Sequence, residues 1–174
     1  IAHYKKALEL LGQVPETPER DQQELALQLA LIFPLQATKG FGAPDLGQAV
    51  VRARELCDRV GDTPQRITAL IQLATYYATT AQYRTALRVN MESSRLAEQL
   101  KDPLLSAVAN GIYLWPLLNV GELVQAVEYA KRMAAVYDEE KHGFLGYLFG
   151  YDLGVLNLGF GSWALWILGY PDQA

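Results

Sequence analysis

The feature that most constrains this 174-residue sequence is an alanine that recurs at intervals of about forty residues. In the first four cases a Leu or Tyr lies three residues before the alanine, and in the last a Tyr lies four before it. The intervals are 42, 37, 40 and 48 residues, between Ala7, Ala49, Ala86, Ala126 and Ala174. Self-similarity at such a period is typical of repeat proteins, in which each unit packs mainly on its neighbours.

Helical signals fill the intervals between these alanines. Asp62 with Pro64, and Asp102 with Pro103, have the Asp and early Pro that start helices. Apolar residues then return at helical spacing, and no long stretch alternates with the period of two that a strand requires. The predicted helices are 2–12, 18–38, 44–60, 64–80, 82–101, 103–120, 122–138 and 152–169, with a ninth beginning at 171.

The intervals exceed the 34 residues of a minimal tetratricopeptide repeat but fit the same helix-turn-helix unit with longer helices or loops. We therefore predict an all-α fold, a tetratricopeptide-like α-α superhelix of antiparallel helix pairs, as a single domain over 1–174. The segment 139–151 breaks the period and is interpreted as an insertion between repeats. Long insertions in such arrays form loops on one face, so His142, Tyr147 and Tyr151 are candidate contact residues.

Charge and cysteine content exclude several functional classes. Fifteen Lys and Arg against nineteen Asp and Glu give a net charge of −4, whereas nucleic-acid binding needs clustered positive charge. The single cysteine, Cys57, precludes an internal disulfide and suits a reducing, cytoplasmic compartment. Because both histidines are distant in sequence, Cys57 is interpreted as a core residue and not as a nucleophile.

One segment has the length of a membrane span. Residues 153–171 carry no charge over nineteen positions, close to what a bilayer requires. Four glycines, Asn157 and Ser162 interrupt the run. A helix buried on several sides within a protein has the same composition, and we favour that interpretation over a membrane segment.

No motif predicts catalysis, a metal or a cofactor. The glycines of 40–47 follow a helix instead of a strand and lack the Gly-Lys-Ser/Thr ending of a phosphate loop. Asp138, Glu139, Glu140 and His142 could supply metal ligands, but consecutive acids on a helix point in different directions. We interpret these residues as a solvated helix end and expect no enzyme activity.

The repeat register also predicts a groove. The residues eleven positions before the recurring alanines are Thr75, Trp115 and Trp163, and those eight before are Ala78, Leu118 and Trp166. If these positions face the concave side, the groove changes from small and polar to aromatic along the chain. The alternatives are that these tryptophans are core residues or contact a neighbouring repeat, or that Thr75, Trp115, Leu118, Trp163 and Trp166 bind an apolar peptide or helix.

The sequence resembles one particular family over nearly its whole length. The similarity lies in 18–30, in 37–40 with Ala49, in 53–57, in 61–64 and in 164–174, and is supported by Tyr137-Asp138, His142, Tyr147, Gly150 and 152–155. These segments resemble the C-terminal tetratricopeptide-like region of large bacterial signalling ATPases, often linked to class III adenylate or guanylate cyclase domains. Gly42 and Leu153 depart from the family pattern, which usually has Ala and Pro there.

The resemblance implies a regulatory or protein-interaction scaffold within a cytoplasmic signalling protein, with the nucleotide-binding motifs upstream. The partner would be a protein, a peptide or other domains of the same chain; the alternative is a sensor that binds a small effector in the groove. Since the chain lacks an initiator Met and ends within Tyr170-Pro-Asp-Gln-Ala174, we expect it to be part of a longer protein. Exposed Trp163 and Trp166 would then favour self-association through the last helix.

Overall fold

The computed structural model describes residues 1–60, 63–101, 103–144, 146, 150 and 152–174, with the backbone alone at 103–105 and 107. Every regular element in these residues is helical, which confirms the predicted all-α fold. The proposed helix-capping residues Asp62 and Asp102 lie outside the described residues.

Seven of the predicted helices match the structure within two residues, and the predicted helix 103–120 does not; in addition, a short helix forms at Glu139–His142, where the sequence predicted an insertion without a helix. A 3-10 helix, Pro171–Gln173, follows the last α-helix. The α-helices are α1 (Ala2–Leu11), α2 (Pro18–Lys39), α3 (Pro44–Val60), α4 (Thr63–Thr79), α5 (Tyr83–Leu100), α6 (Pro103–Gly111), α7 (Leu114–Val120), α8 (Leu123–Val136), α9 (Glu139–His142) and α10 (Leu153–Ile167).

The exception is the predicted helix 103–120, which is wrong as a single element. The structure divides it into α6 and α7, with Ile112 and Tyr113 between them. Pro116 lies one turn after this break. Because proline has no N–H to donate to the carbonyl of Ile112, and its ring clashes with that carbonyl, a helix cannot continue undisturbed through this turn.

Consecutive helices pack against each other, and ion pairs at both ends show that α2 and α3 are antiparallel. The guanidinium of Arg59 in α3 lies 3.2 Å from the carboxylate of Asp21 near the start of α2. The ammonium of Lys39 at the end of α2 lies 2.6 Å from the carboxylate of Asp45 at the start of α3. Helices that follow one another along the chain also pack together from α3 to α4, α4 to α5, α5 to α6 and α7, and α8 to α10.

Three helix-helix turns have the same backbone conformation, which supports the repeat register. Ala81, Gly121 and Gly169 each lie five residues before a recurring alanine, and each has a positive φ, of 61°, 86° and 88°. The residue that follows donates its N–H to the carbonyl five residues earlier, as in a Schellman motif. These bonds run from Gln82 to Tyr77 (2.8 Å), from Glu122 to Leu117 (2.9 Å) and from Tyr170 to Leu165 (2.9 Å).

The buried apolar residues form a series of clusters along the stack of helices. The largest lies among α2, α3 and α4 and includes Leu35, Val50 and Leu70. Cys57 is 1% exposed and packs in a neighbouring cluster with Leu25 and Leu56. Within the described residues, no helix combines the length and the hydropathy that crossing a bilayer requires.

Candidate functional site

An apolar groove opens on one side of the stack, with a cavity of about 540 Å³. The first helix of each successive pair contributes to it: α4, the α6–α7 break with α7, and α10. None of the described lining residues is charged. They are Phe41, Thr75, Ala78, Thr79, Tyr83, Ile112, Trp115, Leu156, Phe160 and Trp163.

The structure brings three of the five predicted groove residues together in this cavity. Thr75, Trp115 and Trp163 lie on three different helices, although forty residues or more separate each from the next. Thr75 is 8% exposed and lies deep in the groove, whereas Trp163 keeps 56% of its surface exposed. The groove therefore has a small-residue end at α4 and an aromatic end at α10.

Three rings in mutual contact form the aromatic end. The centroid of Trp115 lies 5.0 Å from that of Phe160 and 6.5 Å from that of Trp163. Phe160 and Trp163 meet edge to face with their centroids 5.6 Å apart. Such tilted and edge-to-face contacts are favourable because the ring edges and faces carry opposite partial charges. Each ring thus limits the freedom of the other two, and a rigid aromatic wall results.

At the α4 end of the groove, the hydroxyls of Thr75 and Thr79 donate hydrogen bonds to main-chain carbonyls. Thr75 Oγ1 donates to the carbonyl of Ile71 at 3.0 Å. Thr79 Oγ1 lies within hydrogen-bond distance of the carbonyls of Phe41 (3.1 Å), Thr75 (3.0 Å) and Tyr76 (3.0 Å), and its single proton is donated to one of them at a time. The contact with Phe41 places the α2–α3 turn against α4, and the Phe41 ring forms part of the wall. Apart from the Tyr83 hydroxyl, the groove therefore presents mainly hydrocarbon to a ligand.

The other two predicted groove residues lie elsewhere. Leu118 is partly buried against Tyr113 and Ala126, in a cluster between α7, α8 and α10. Trp166 is 68% exposed and does not line the cavity. It follows Trp163 by three residues, which is about 60° short of a full helical turn, and it therefore belongs to the outer surface of α10.

Of the three residues predicted at the insertion, only His142 is described. Tyr147 and Tyr151 lie outside the described residues. His142 ends the short helix α9, and its Nδ1 accepts a 2.9 Å hydrogen bond from the main-chain N–H of Asp138. Its ring lies 5.8 Å from that of Tyr137. These contacts join His142 to Tyr137 and Asp138 between α8 and α9, and His142 does not line the groove.

The end of the insertion nevertheless reaches the groove wall. Gly150 has a φ of +79°, and a Cβ built on it would lie 3.4 Å from the Phe41 ring. The main chain of Gly150 therefore lies directly against a residue that lines the cavity.

A hydrogen-bonded pair, Tyr137 and Asp152, joins the residues on either side of the segment 139–151. Asp152 Oδ1 caps α10 by accepting from the N–H of Val155 at 2.9 Å, and its Oδ2 accepts from the Tyr137 hydroxyl at 2.6 Å. The Tyr137 hydroxyl is the main cause that lowers the pKa of Asp152, and the helix N–H groups lower it further. The carboxylate raises the pKa of Tyr137 to about 12.

Sequence reasoning missed several residues of the groove. Ile112 precedes Trp115 by three positions, and Phe160 and Leu156 precede Trp163 by three and seven, so helical periodicity on the predicted positions would have found them. Phe41 and Tyr83 lie in or next to turns between helices. Tyr83 is the tyrosine three residues before the recurring Ala86, so the repeat marks its position without indicating that it faces the groove, and no periodic pattern marks Phe41.

Two further findings concern function. Among the residues that the structure describes, no three His, Cys, Asp or Glu side chains come together as a metal site would require. No protein-family profile, no curated protein and no solved structure matches the chain.

Proposed function

We propose that this protein is a non-catalytic interaction and regulatory scaffold whose groove holds the apolar face of a helix from a partner protein or from another domain of the same chain. As the family resemblance implies, the larger protein would act in cytoplasmic signalling. The observation that carries the proposal is the uncharged groove with its wall of Trp115, Phe160 and Trp163.

The composition of the groove determines what it can bind. Interface residues that dominate affinity are enriched in Trp and Tyr and lie in desolvated depressions. Here Trp115, Trp163 and Tyr83 border a cavity whose other walls are mostly aliphatic or aromatic. Burying a charged group against such a surface carries a large desolvation penalty, so the segment that enters must be apolar and uncharged.

An amphipathic helix fits this description because it presents apolar side chains at i, i+3, i+4 and i+7 on one face while its polar face remains in water. Two or three such side chains would occupy the space between α4 and α10. The groove contributes few hydrogen bonds, so affinity would come mainly from removing apolar surface from water, at about 25 cal/mol per Å².

The test is selection from a random twelve-residue peptide library, followed by affinity measurement on the most enriched peptide. We expect enriched peptides to carry Leu, Phe or Trp at helical spacing, with no Asp, Glu, Lys or Arg among the spaced positions. Thr79→Trp, which fills the cavity from an exposed position, should weaken binding at least tenfold, and so should Trp163→Ala.

Trp166→Ala is the matched control, since it removes the same side chain from the same helix outside the groove. It should leave the affinity within twofold of that of the unmodified protein. If the enriched peptides are charged, or if Trp166→Ala weakens binding as much as Trp163→Ala does, the groove is not the binding site.

A second candidate function, the binding of a small effector, has its own support. A cavity of about 540 Å³ is within the range of about 300–1,000 Å³ that is usual for small-molecule sites. The uncharged fluorophore N-phenyl-1-naphthylamine tests this function. Saturable binding that Thr79→Trp abolishes, together with a library that yields no groove-dependent peptide, would favour the effector over the helix.

A further inference from the structure

The outer face of α10 carries an apolar stripe distinct from the groove. We define the α10 stripe as Val155, Leu158, Gly159, Ser162, Trp163 and Trp166. Val155, Leu158, Trp163 and Trp166 are 73%, 64%, 56% and 68% exposed. Only Trp163, at the edge of the stripe, also lines the groove. No charged residue occurs between Leu153 and Pro171, and the charged residues that border the stripe include Lys131 of α8, near Leu158 and Ser162, and Asp152, near Val155.

The order of side chains along the stripe is symmetric about its centre. Two small residues, Gly159 and Ser162, lie in the middle. Leu158 and Trp163 flank them, and Val155 and Trp166 lie one turn further out. A helix that crosses an antiparallel copy of itself at this centre places Gly159 opposite Ser162, Leu158 opposite Trp163 and Val155 opposite Trp166. A two-fold symmetric interface pairs residues in this reciprocal way, and here each small residue faces a small one and each aliphatic residue faces a tryptophan.

The centre of the stripe also permits close approach. A Cβ built on Gly159 meets no atom within 4 Å, so the helix surface is open there. Small residues at the crossing point of two helices allow their backbones to come near each other, while larger flanking side chains interlock on either side.

The exposed apolar area is sufficient for a dimer. If a fully buried aromatic side chain covers about 200 Å², Trp163 and Trp166 together offer about 250 Å². If an aliphatic side chain covers about 100 Å², Val155, Leu158 and the adjacent Ile167 add about 200 Å². A standard interface buries about 800 Å² per partner, of which about 60% is apolar. The stripe together with Ile167 thus carries about 450 Å² of apolar area, close to the roughly 480 Å² that one side of a stable dimer needs.

From the exposure of this apolar stripe, the small residues at its centre and its area we infer that two copies of the chain associate through the α10 stripe, antiparallel and centred on Gly159 and Ser162. The pairing and the proposed ligand groove share Trp163, whereas the rest of the stripe lies outside the groove lining. The closed symmetry limits the assembly to two copies.

Sedimentation velocity of the whole chain from about 1 to about 200 µM tests this dimer, because interfaces of this size reach micromolar or tighter affinity. We expect a monomer-to-dimer shift within the range. Trp166→Glu should abolish it by placing a carboxylate opposite Val155 of the second copy. Met91→Glu is the control, since Met91 is 65% exposed on α5 and lies outside the stripe.

Cross-linking gives a second, independent measurement. Ser162→Cys brings two thiols close to the symmetry axis, so mild oxidation should yield a covalent dimer, whereas Met91→Cys, whose thiols lie away from the axis, should yield little covalent dimer. Cys57 is 1% exposed and should not interfere. Circular dichroism of each variant verifies that the helices are intact.

Three results would overturn the inference: a chain that stays monomeric at about 200 µM, a dimer that survives Trp166→Glu, or a mass that grows beyond two copies. The first would show that the stripe does not pair with a second copy of the chain. Binding of the selected peptide by Trp166→Glu separates the two proposals, because it should persist whether or not the dimer forms.

Discussion

The Tyr137 hydroxyl donates a 2.6 Å hydrogen bond to Asp152 Oδ2 and so joins the end of α8 to the start of α10 across the inserted segment. The Tyr137 ring also packs against Gly154, where any Cβ would collide with it. These contacts set the position of α10, which supplies Leu156, Phe160 and Trp163 to the groove.

Tyr137→Phe should therefore lower the free energy of unfolding at neutral pH by about 1 kcal/mol, because it removes a hydrogen bond to a carboxylate near the surface. Urea denaturation followed by circular dichroism measures the change. Arg84→Ala, a change at an exposed arginine of α5, is the control and should have little effect.

The same pair predicts how this difference depends on pH. The pKa of Asp152 is lowered in the folded state, so its contribution is present above the unfolded pKa of about 4 and is lost as pH falls through the folded value. The pKa of Tyr137 is raised to about 12, so its contribution is present below the unfolded value of about 10 and is lost as pH rises through 12. The stability difference between the wild type and Tyr137→Phe should thus be constant between about pH 5 and 9 and shrink in acid. A difference that grows in acid would contradict this assignment.

The helix-helix turn that recurs at Ala81 and Gly121 predicts a stabilising substitution at the first position and a destabilising one at the second. Ala81 has a φ of 61°, a conformation that costs a residue with a Cβ about 1 kcal/mol relative to glycine. Ala81→Gly should stabilise the fold by about this amount, and Gly121→Ala should destabilise it similarly. Because nothing lies within 4 Å of a Cβ at Gly121, a clash would not explain the second result. Thermal unfolding of both variants provides the measurement.

Asn157 offers a stability test inside α10. Its side chain is 2% exposed, its Nδ2 donates to the carbonyl of Leu153 at 2.6 Å, and its Oδ1 has no hydrogen-bond partner. A buried acceptor without a partner costs about 1–3 kcal/mol, so Asn157→Leu should raise the free energy of unfolding by about 1 kcal/mol. Asn157→Asp, which places a carboxylate there, should lower it. Loss of stability in Asn157→Leu would show that the amide oxygen of Asn157 accepts a hydrogen bond in solution, for example from water.

Local chemistry explains why the sequence predicted most helices and some of the groove. Thr17 and Asp152 cap their helices through side-chain oxygens, and Gly121 and Gly169 end theirs with positive φ. Each signal lies within a few residues of the helix end that it determines. The shared register then placed Thr75, Trp115 and Trp163 on comparable helix faces.

The features that sequence reasoning missed depend on interactions between segments. The break at Ile112 and Tyr113 follows from Pro116. Because the apolar periodicity of 103–120 continues across this break, the sequence predicted one uninterrupted helix. Phe41 reaches the groove because Thr79 holds the α2–α3 turn by a hydrogen bond, a contact between residues 38 positions apart. Trp166 was assigned to the groove by repeat position, but in the structure it lies on the outer face of α10, 68% exposed.

The central claim, that the groove binds an uncharged apolar segment, is tested most directly by fluorine NMR. The chain has three tryptophans, and replacing them with 5-fluorotryptophan gives one resonance each, assigned by single Trp→Phe variants. On titration with the most enriched peptide, we predict that the Trp115 and Trp163 resonances shift with the peptide's dissociation constant while that of Trp166 stays in place. A bound peptide that shifts only Trp166, or none of the three, would contradict the account.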